Sequence, residues 1–191
     1  VHYRRYSVPK KTGGTRQISA PKPKLARAQE WVLRNVLDRL MVSPAAHGFV
    51  CGRNAKSGAS PHVGRRVVVN VDPKDFFPSI GFRRVKGLVQ AIGYTEPVAV
   101  VLALLCTEPP RAVVEHDGQV FFVALSERVL PQGACTSPAI TNALCTFSLD
   151  HRLGYLAHHL EYKYSRYADD LTFSGDVPSR VGKLLRAVRL I

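Results

Sequence analysis

The sequence predicts an α+β fold in which a mostly antiparallel sheet packs on helices. Three observations lead there. Strand-like and helical runs are mixed along the chain, but no succession of βαβ units appears. An apolar run, Val67–Val71, ends on Asp72. Two further strand-like runs, 161–166 and 171–174, flank Tyr167-Ala168-Asp169-Asp170, so a tight turn carries adjacent carboxylates to a hairpin tip.

The elements follow in order. Tyr6-Ser7-Val8 and Arg16-Gln17-Ile18-Ser19 flank Lys10-Lys11-Thr12-Gly13-Gly14, a basic hairpin whose glycines license the turn. Pro21 and Pro23 break the chain. Leu25, Gln29, Val32, Val36 and Leu40, with Leu33 and Leu37, then form one face of a helix over about 25–41. Trp31 reads as packing rather than base stacking. Residues 45–66 lack periodicity and predict an ordered loop, with Arg53, Lys56, Arg65 and Arg66 available to phosphates. The unalternating Val67–Val71 run predicts a strand buried on both faces. Val85, Leu88, Val89 and Ile92 mark one helix, and the apolar stretch 97–106 another. Residues 113–122 predict a hairpin turning at Asp117-Gly118. Leu149, Leu153, Leu156 and Leu160 lie on a single long helix over 137–160. A last helix begins near Ser179.

Composition narrows the function classes. The chain has 191 residues and is 46% hydrophobic, enough for one or two ordinary domains. Its formal net charge is +13. Residues 1–34 hold nine Lys or Arg against one acid, Glu30, a local +8. Such an excess attracts polyanions; the alternative is a solvated charged face. No apolar run approaches the roughly 20 residues that span a membrane. A chain beginning at Val1 reads as a fragment or a processed product. Cys51, Cys106, Cys135 and Cys145 have no C-x-x-C spacing, which points away from a zinc site and toward a reducing, cytoplasmic setting. The seven histidines also lack metal-ligand spacing.

The carboxylates are the chemical signal. Aspartate is common at turns, so Asp72 taken singly reads equally well as a strand-end cap. Two strands that each end in carboxylate suit hard divalent cations such as Mg²⁺, which take a few carboxylates and complete their shell with water and phosphate. Two such ions about 4 Å apart serve in-line phosphoryl transfer.

Between the acidic segments lies Leu130-Pro131-Gln132-Gly133-Ala134-Cys135-Thr136-Ser137-Pro138. It resembles the L-P-Q-G-x-x-x-S-P block of reverse transcriptases. Asp72-Pro73-Lys74-Asp75-Phe76-Phe77 before it and Tyr-Ala-Asp-Asp after it stand in that family's order. Ala46-His47-Gly48-Phe49-Val50, Pro61-His62-Val63-Gly64 and the run Asp75-Phe76-Phe77-Pro78-Ser79-Ile80 are similar to the bacterial retron branch. The resemblance covers nearly the whole chain.

It implies a right-hand polymerase with fingers over 1–66 and a palm over 67–191, some fingers elements falling near 82–125. Carried over by position, Asp72 and Asp169 match the main metal ligands, Asp170 a weaker partner, and the Pro73 carbonyl a further ligand, holding two Mg²⁺ ions, with Mn²⁺ as the alternative. Phe77 matches an aromatic gate that excludes a ribose 2′-hydroxyl; the alternative is a core Phe beside Phe76, adjacent residues of a strand-like stretch pointing oppositely. Asp75 and Phe76 accompany it at the nucleotide, Asp75 in a backbone-positioning role. Gln132 and Gly133 match residues beneath the templating pair, Gly133 letting a strand or nucleotide approach its backbone. Arg16 matches a fingers Arg on the triphosphate, with Lys10 or Lys11 assisting. Tyr167 supports the primer terminus or packs in the core. Ser137 as N-cap and Pro138 at the first position start a helix.

The resemblance also implies an RNA template, a primer and dNTPs, and in the retron branch a structured noncoding RNA, with a role in antiviral defence by analogy. The family's primer grip and thumb have no counterpart in these residues, so the thumb is absent here. The other readings are a group II intron-type or other bacterial reverse transcriptase, a viral RNA-dependent RNA polymerase, against which Phe77 argues, and a noncatalytic nucleic-acid-binding fragment of the same fold.

Overall fold

The computed structural model describes residues 2–9 and 13–191. Lys10 and Lys11, assigned above to the nucleotide, lie outside the described residues. The chain forms two compact units, each built from two separate stretches: residues 1–39 with 75–140, and residues 40–74 with 141–191.

In the first unit, β1 (Tyr3–Pro9) and β2 (Thr15–Pro21) pair antiparallel, Tyr3 opposite Pro21 and Pro9 opposite Thr15. Helix α1 (Pro23–Asn35) follows, shorter than the periodicity predicts. It gives way to a 3₁₀ turn over Leu37–Arg39. Its buried face is Gln29 and Val32; Trp31 lies on the opposite side and is 59% exposed, so it does not pack as expected. The buried Gln29 amide donates to the Tyr3 hydroxyl (2.9 Å) and the Leu105 carbonyl (2.8 Å). Helices α2 (Phe82–Ala91) and α3 (Glu96–Cys106) pack on each other through Val85, Leu88, Val89, Ala99, Leu102 and Ala103. Strands β3 (Arg111–His116) and β4 (Gln119–Ala124) form the expected hairpin. Asp117 and Gly118 both take positive φ (51° and 71°), the geometry of a type I′ turn.

In the second unit, Asn54 caps a short helical turn over Ala55–Ala59 through a reciprocal box with Ser57. The 45–66 segment is thus partly helical rather than a plain loop. Strands β5 (Val67–Val71), β6 (Tyr162–Tyr167) and β7 (Asp170–Gly175) form an antiparallel sheet with β7 in the centre. β5 is therefore an edge strand with one face covered: Val67, Val69 and Val71 are half-buried, whereas Val68 and Asn70 are exposed. The expected burial on both faces does not occur: the 55–62 segment covers this face over β6 and β7, where His62 meets Ser165 and Ser174, and leaves Val68 at the edge exposed.

The predicted single helix over 137–160 is two. Helix α4 (Thr136–Phe147) and helix α5 (Leu149–His159) meet at Ser148, whose φ of −123° is not helical. Leu153, Ala157 and Leu160 pack with Tyr162, Leu171, Phe173 and Leu184, the last from α6 (Val181–Val188), into the core beneath the sheet. Cys106 and Cys145 are buried. Among the described residues no helix is long and apolar enough to cross a membrane.

Candidate active site

Sheet register brings the acidic segments together. Val71 of β5 lies opposite Leu171 of β7, and Asn70 opposite Thr172. In an antiparallel ladder the next step past Val71 and Leu171 sets Asp72 against Asp170. On the same strand face Thr172 Oγ1 donates to Asn70 Oδ1 at 3.1 Å. This face points away from the core. At its far end His62 bridges Ser174 (2.6 Å) and Ser165 (2.8 Å). At its near end Asp72 and Asp170 are exposed and Asp169 is half-buried.

Tyr167 pairs with Asp170, leaving Ala168 and Asp169 as a two-residue turn. Ala168 has φ of 56° and Asp169 does not have positive φ, the type II′ pattern, in which glycine normally takes the first central place. A non-glycine residue there stores strain and needs support from its surroundings. Support comes from the 45–48 segment. Ala45 accepts from the Arg166 amide (2.7 Å) and the Arg166 carbonyl accepts from the His47 amide (2.7 Å). Gly48 then lies against the Ala168 backbone, where any Cβ would overlap it.

Asp170 carries the electrostatic mark of its acidic neighbours. Partial burial, then the charges of Asp169 and Asp72, raise the Asp170 pKa above its ordinary 3.8. A like charge nearby disfavours the ionised form of a carboxylate. Among the described residues no three His, Cys, Asp or Glu side chains are drawn close enough to hold a metal unaided.

Pro73 follows Asp72 in the second unit, and Arg16, Asp75, Phe76, Phe77, Gln132 and Gly133 belong to the first. Residues 74–79 form turns, not a strand. Asp75 has φ of 51°, and its carbonyl accepts from the Ser79 amide at 2.8 Å. The Phe76 and Phe77 rings stand edge to face, centroids 6.1 Å apart, and both are half-buried. The strand argument that one points inward therefore does not hold, and neither is a fully buried core residue. Gln132 accepts from the Ser19 amide at 2.7 Å. Gly133 has φ of 118°, and a Cβ there would press on Ile18 (2.8 Å) and the Ser19 carbonyl (3.1 Å). Ile18 and Ser19 of β2 make this close approach to the Gly133 backbone. Arg16 is exposed on β2, two residues from Ile18 and hence on the same strand face.

Two expected roles change. Helix α4 begins at Thr136, and the buried Ser137 hydroxyl donates to the Pro131 carbonyl at 2.8 Å, tying down the Pro-Gln-Gly loop instead of capping. Arg53 donates to the Ser43 and Ala46 carbonyls, both at 2.6 Å, and Arg65 pairs with Asp176 at 2.7 Å. These two hold loops in place.

Sequence reasoning also passed over Gly48, Asn142, Asp150 and Arg166, which surround the acidic turn. The available signal was Arg166 itself, a charge at the core-facing phase of the Tyr162, Tyr164, Arg166 alternation.

Comparison with known proteins identifies the family. A family model described as reverse transcriptase (RNA-dependent DNA polymerase) matches residues 8–190. The chain is 54% identical over 175 residues to the Retron Mx65 reverse transcriptase of Myxococcus xanthus, covering 92% of this chain and 41% of that protein. It is 36% identical over 183 residues to the Retron Ec86 reverse transcriptase of Escherichia coli, covering 95% and 51%. The chain thus spans about two fifths to one half of the length of these relatives. A telomerase structure from Candida albicans, in complex with a TWJ fragment of telomeric RNA, aligns with a TM-score of 0.62 at 10% identity over 99% of this chain and 39% of that one, a likeness of fold alone. The chain belongs to the reverse transcriptase family and is similar to its retron members.

Proposed function

We propose that this chain carries the polymerising centre of a retron-type RNA-directed DNA polymerase, a nucleotidyltransferase that extends a primer on an RNA template with dNTPs. The observation that carries the reading is the β5–β7 register, which sets Asp72 against Asp170 beside the turn that holds Asp169. By family layout, residues 1–66 and elements near 82–125 are fingers, and the rest of 67–191 is palm.

Members of the family use divalent metal ions. Here Asp72 and Asp169 are the principal ligands, Asp170 a weaker one, and the Pro73 carbonyl another. When bound, two Mg²⁺ ions, or Mn²⁺ in their place, supply an activated primer 3′-hydroxyl and a stabilised pyrophosphate leaving group. The protein's own residues do the rest. The Arg16 fork grips the triphosphate, assisted by Lys10. Phe77, braced by Phe76, blocks a ribose 2′-hydroxyl. Asp75 fixes the backbone that presents both rings, and Gln132 and Gly133 lie under the templating pair. A structured noncoding RNA serves as template, in a cytoplasmic setting and a role in antiviral defence.

Primer extension by the full-length enzyme tests this, using an RNA template, dNTPs and Mg²⁺. Asp169→Asn is expected to abolish extension and retain RNA binding. Equal extension by both proteins contradicts the assignment and favours a noncatalytic RNA-binding module.

A further inference from the structure

We propose that Arg166 is a positioning residue that holds the acidic turn in its strained, metal-ready shape through a buried relay of Asp150, Asn142 and the Ala168 carbonyl. This rests on the catalytic reading given above.

Arg166 is fully buried, which is rare for arginine unless it is paired. Its Nε and Nη2 donate to Asp150 Oδ1 and Oδ2, both at 2.9 Å, a bidentate fork. Its Nη1 donates to Asn142 Oδ1 and to the Ala168 carbonyl, each at 2.9 Å. Asp150 Oδ1 also accepts from the Tyr164 hydroxyl at 2.8 Å. The Asn142 amide donates onward to the Gly48 carbonyl at 3.0 Å. Gly48 is the residue pressed against Ala168.

One guanidinium therefore reaches the turn by two routes. The direct route fixes the carbonyl of Ala168, the residue with φ of 56°. The indirect route, through Asn142, fixes the residue behind it. Packing alone has no need of such an arrangement, since an apolar side chain would fill the space without a charge to desolvate. A charged fork aimed at a carbonyl adds orientation, and Asp169 and Asp170 follow that carbonyl directly in the chain. The break at Ser148 belongs to the same device, because it starts α5 where Asp150 in its first turn meets Arg166.

The test compares full-length wild type with Arg166→Lys, Asn142→Ala and Asp169→Asn. Lysine keeps the charge but not the planar fork. Thermal melting checks folding, single-nucleotide extension separates kcat from KM for dNTP, and Mn²⁺ titration followed by EPR reads metal binding without turnover. Folded Arg166→Lys is expected to lose about tenfold or more in kcat, keep KM within about threefold, and bind Mn²⁺ several-fold more weakly. Asn142→Ala, which leaves the Arg166–Asp150 pair in place, is expected to show the same pattern more mildly, and it decides the matter if Arg166→Lys does not fold. Wild-type kcat and Mn²⁺ binding in the folded variants overturn the proposal. Asp169→Asn separates the two readings. If it too extends normally, the catalytic assignment fails. If it alone is inactive, only the positioning role fails.

Discussion

Gly48 lies flush against the backbone of Ala168, leaving no room for a side chain between the 45–48 segment and the acidic turn. Its own φ is not in the left-handed region, so the glycine is required by close approach, not by backbone conformation. The acidic turn is thus backed by a residue more than a hundred positions earlier in the chain.

Gly48→Ala should separate turn geometry from charge. The added methyl meets backbone, which cannot swing aside, so overpacking of about 1–3 kcal/mol is expected. Urea denaturation gives the stability loss, and primer extension should fall by a larger factor than the folded fraction does. Unchanged stability and activity would show that the segment is not held against the turn.

Asp170→Asn should stabilise the metal-free protein. The Asp170 pKa is raised in the folded state, so the proton is held more tightly there than in the unfolded chain. Its contribution to stability is fully present below about pH 3.8 and is lost as pH rises through the folded value. At pH 7 the ionised side chain works against folding. Removing one like charge from a cross-strand cluster is expected to raise Tm by about 1–2 °C without metal. Saturating Mg²⁺ should shrink that gain, and so should lowering the pH into the carboxylate range. A lower Tm for Asp170→Asn in EDTA at pH 7 contradicts the shared-charge account.

Phe77→Ala tests sugar selection. Truncating the ring should raise rNTP use relative to dNTP by about tenfold or more, read from competing single-nucleotide incorporation. Phe76→Ala should disturb the edge-to-face pair with a smaller effect on that ratio. If the rNTP:dNTP ratio stays at the wild-type value in Phe77→Ala, the gate lies elsewhere.

Much of this organisation is legible in the residues, and the exceptions have physical causes. The hairpin at Asp117-Gly118 and the acidic hairpin follow from turn chemistry and flanking strands, which are local. Helix α1 ends before its apolar period does, because Leu37 and Leu40 continue that period after the helix has tightened into a 3₁₀ turn. The break at Ser148 was hidden for the same reason: Leu149, Leu153, Leu156 and Leu160 keep one stripe across it. Val67–Val71 reads as buried because valines favour any pleated strand, whereas exposure of Val68 depends on which elements cover that face. Gly48 stands in a retron-like segment, but nothing local tells that it backs the acidic turn, and Asn142 carries no local signal. Their roles arise from contacts across long stretches of chain, which no spacing rule encodes.

The account stands most directly on Asp72 and Asp169 serving one ionic cluster. Mn²⁺ titration of the full-length enzyme, followed by EPR, with Asp72→Asn and Asp169→Asn measured singly and together, addresses that claim. Each single change is predicted to weaken the same bound ions at least tenfold, with the double change little worse than either. Wild-type Mn²⁺ binding by Asp72→Asn, beside loss in Asp169→Asn, would contradict it.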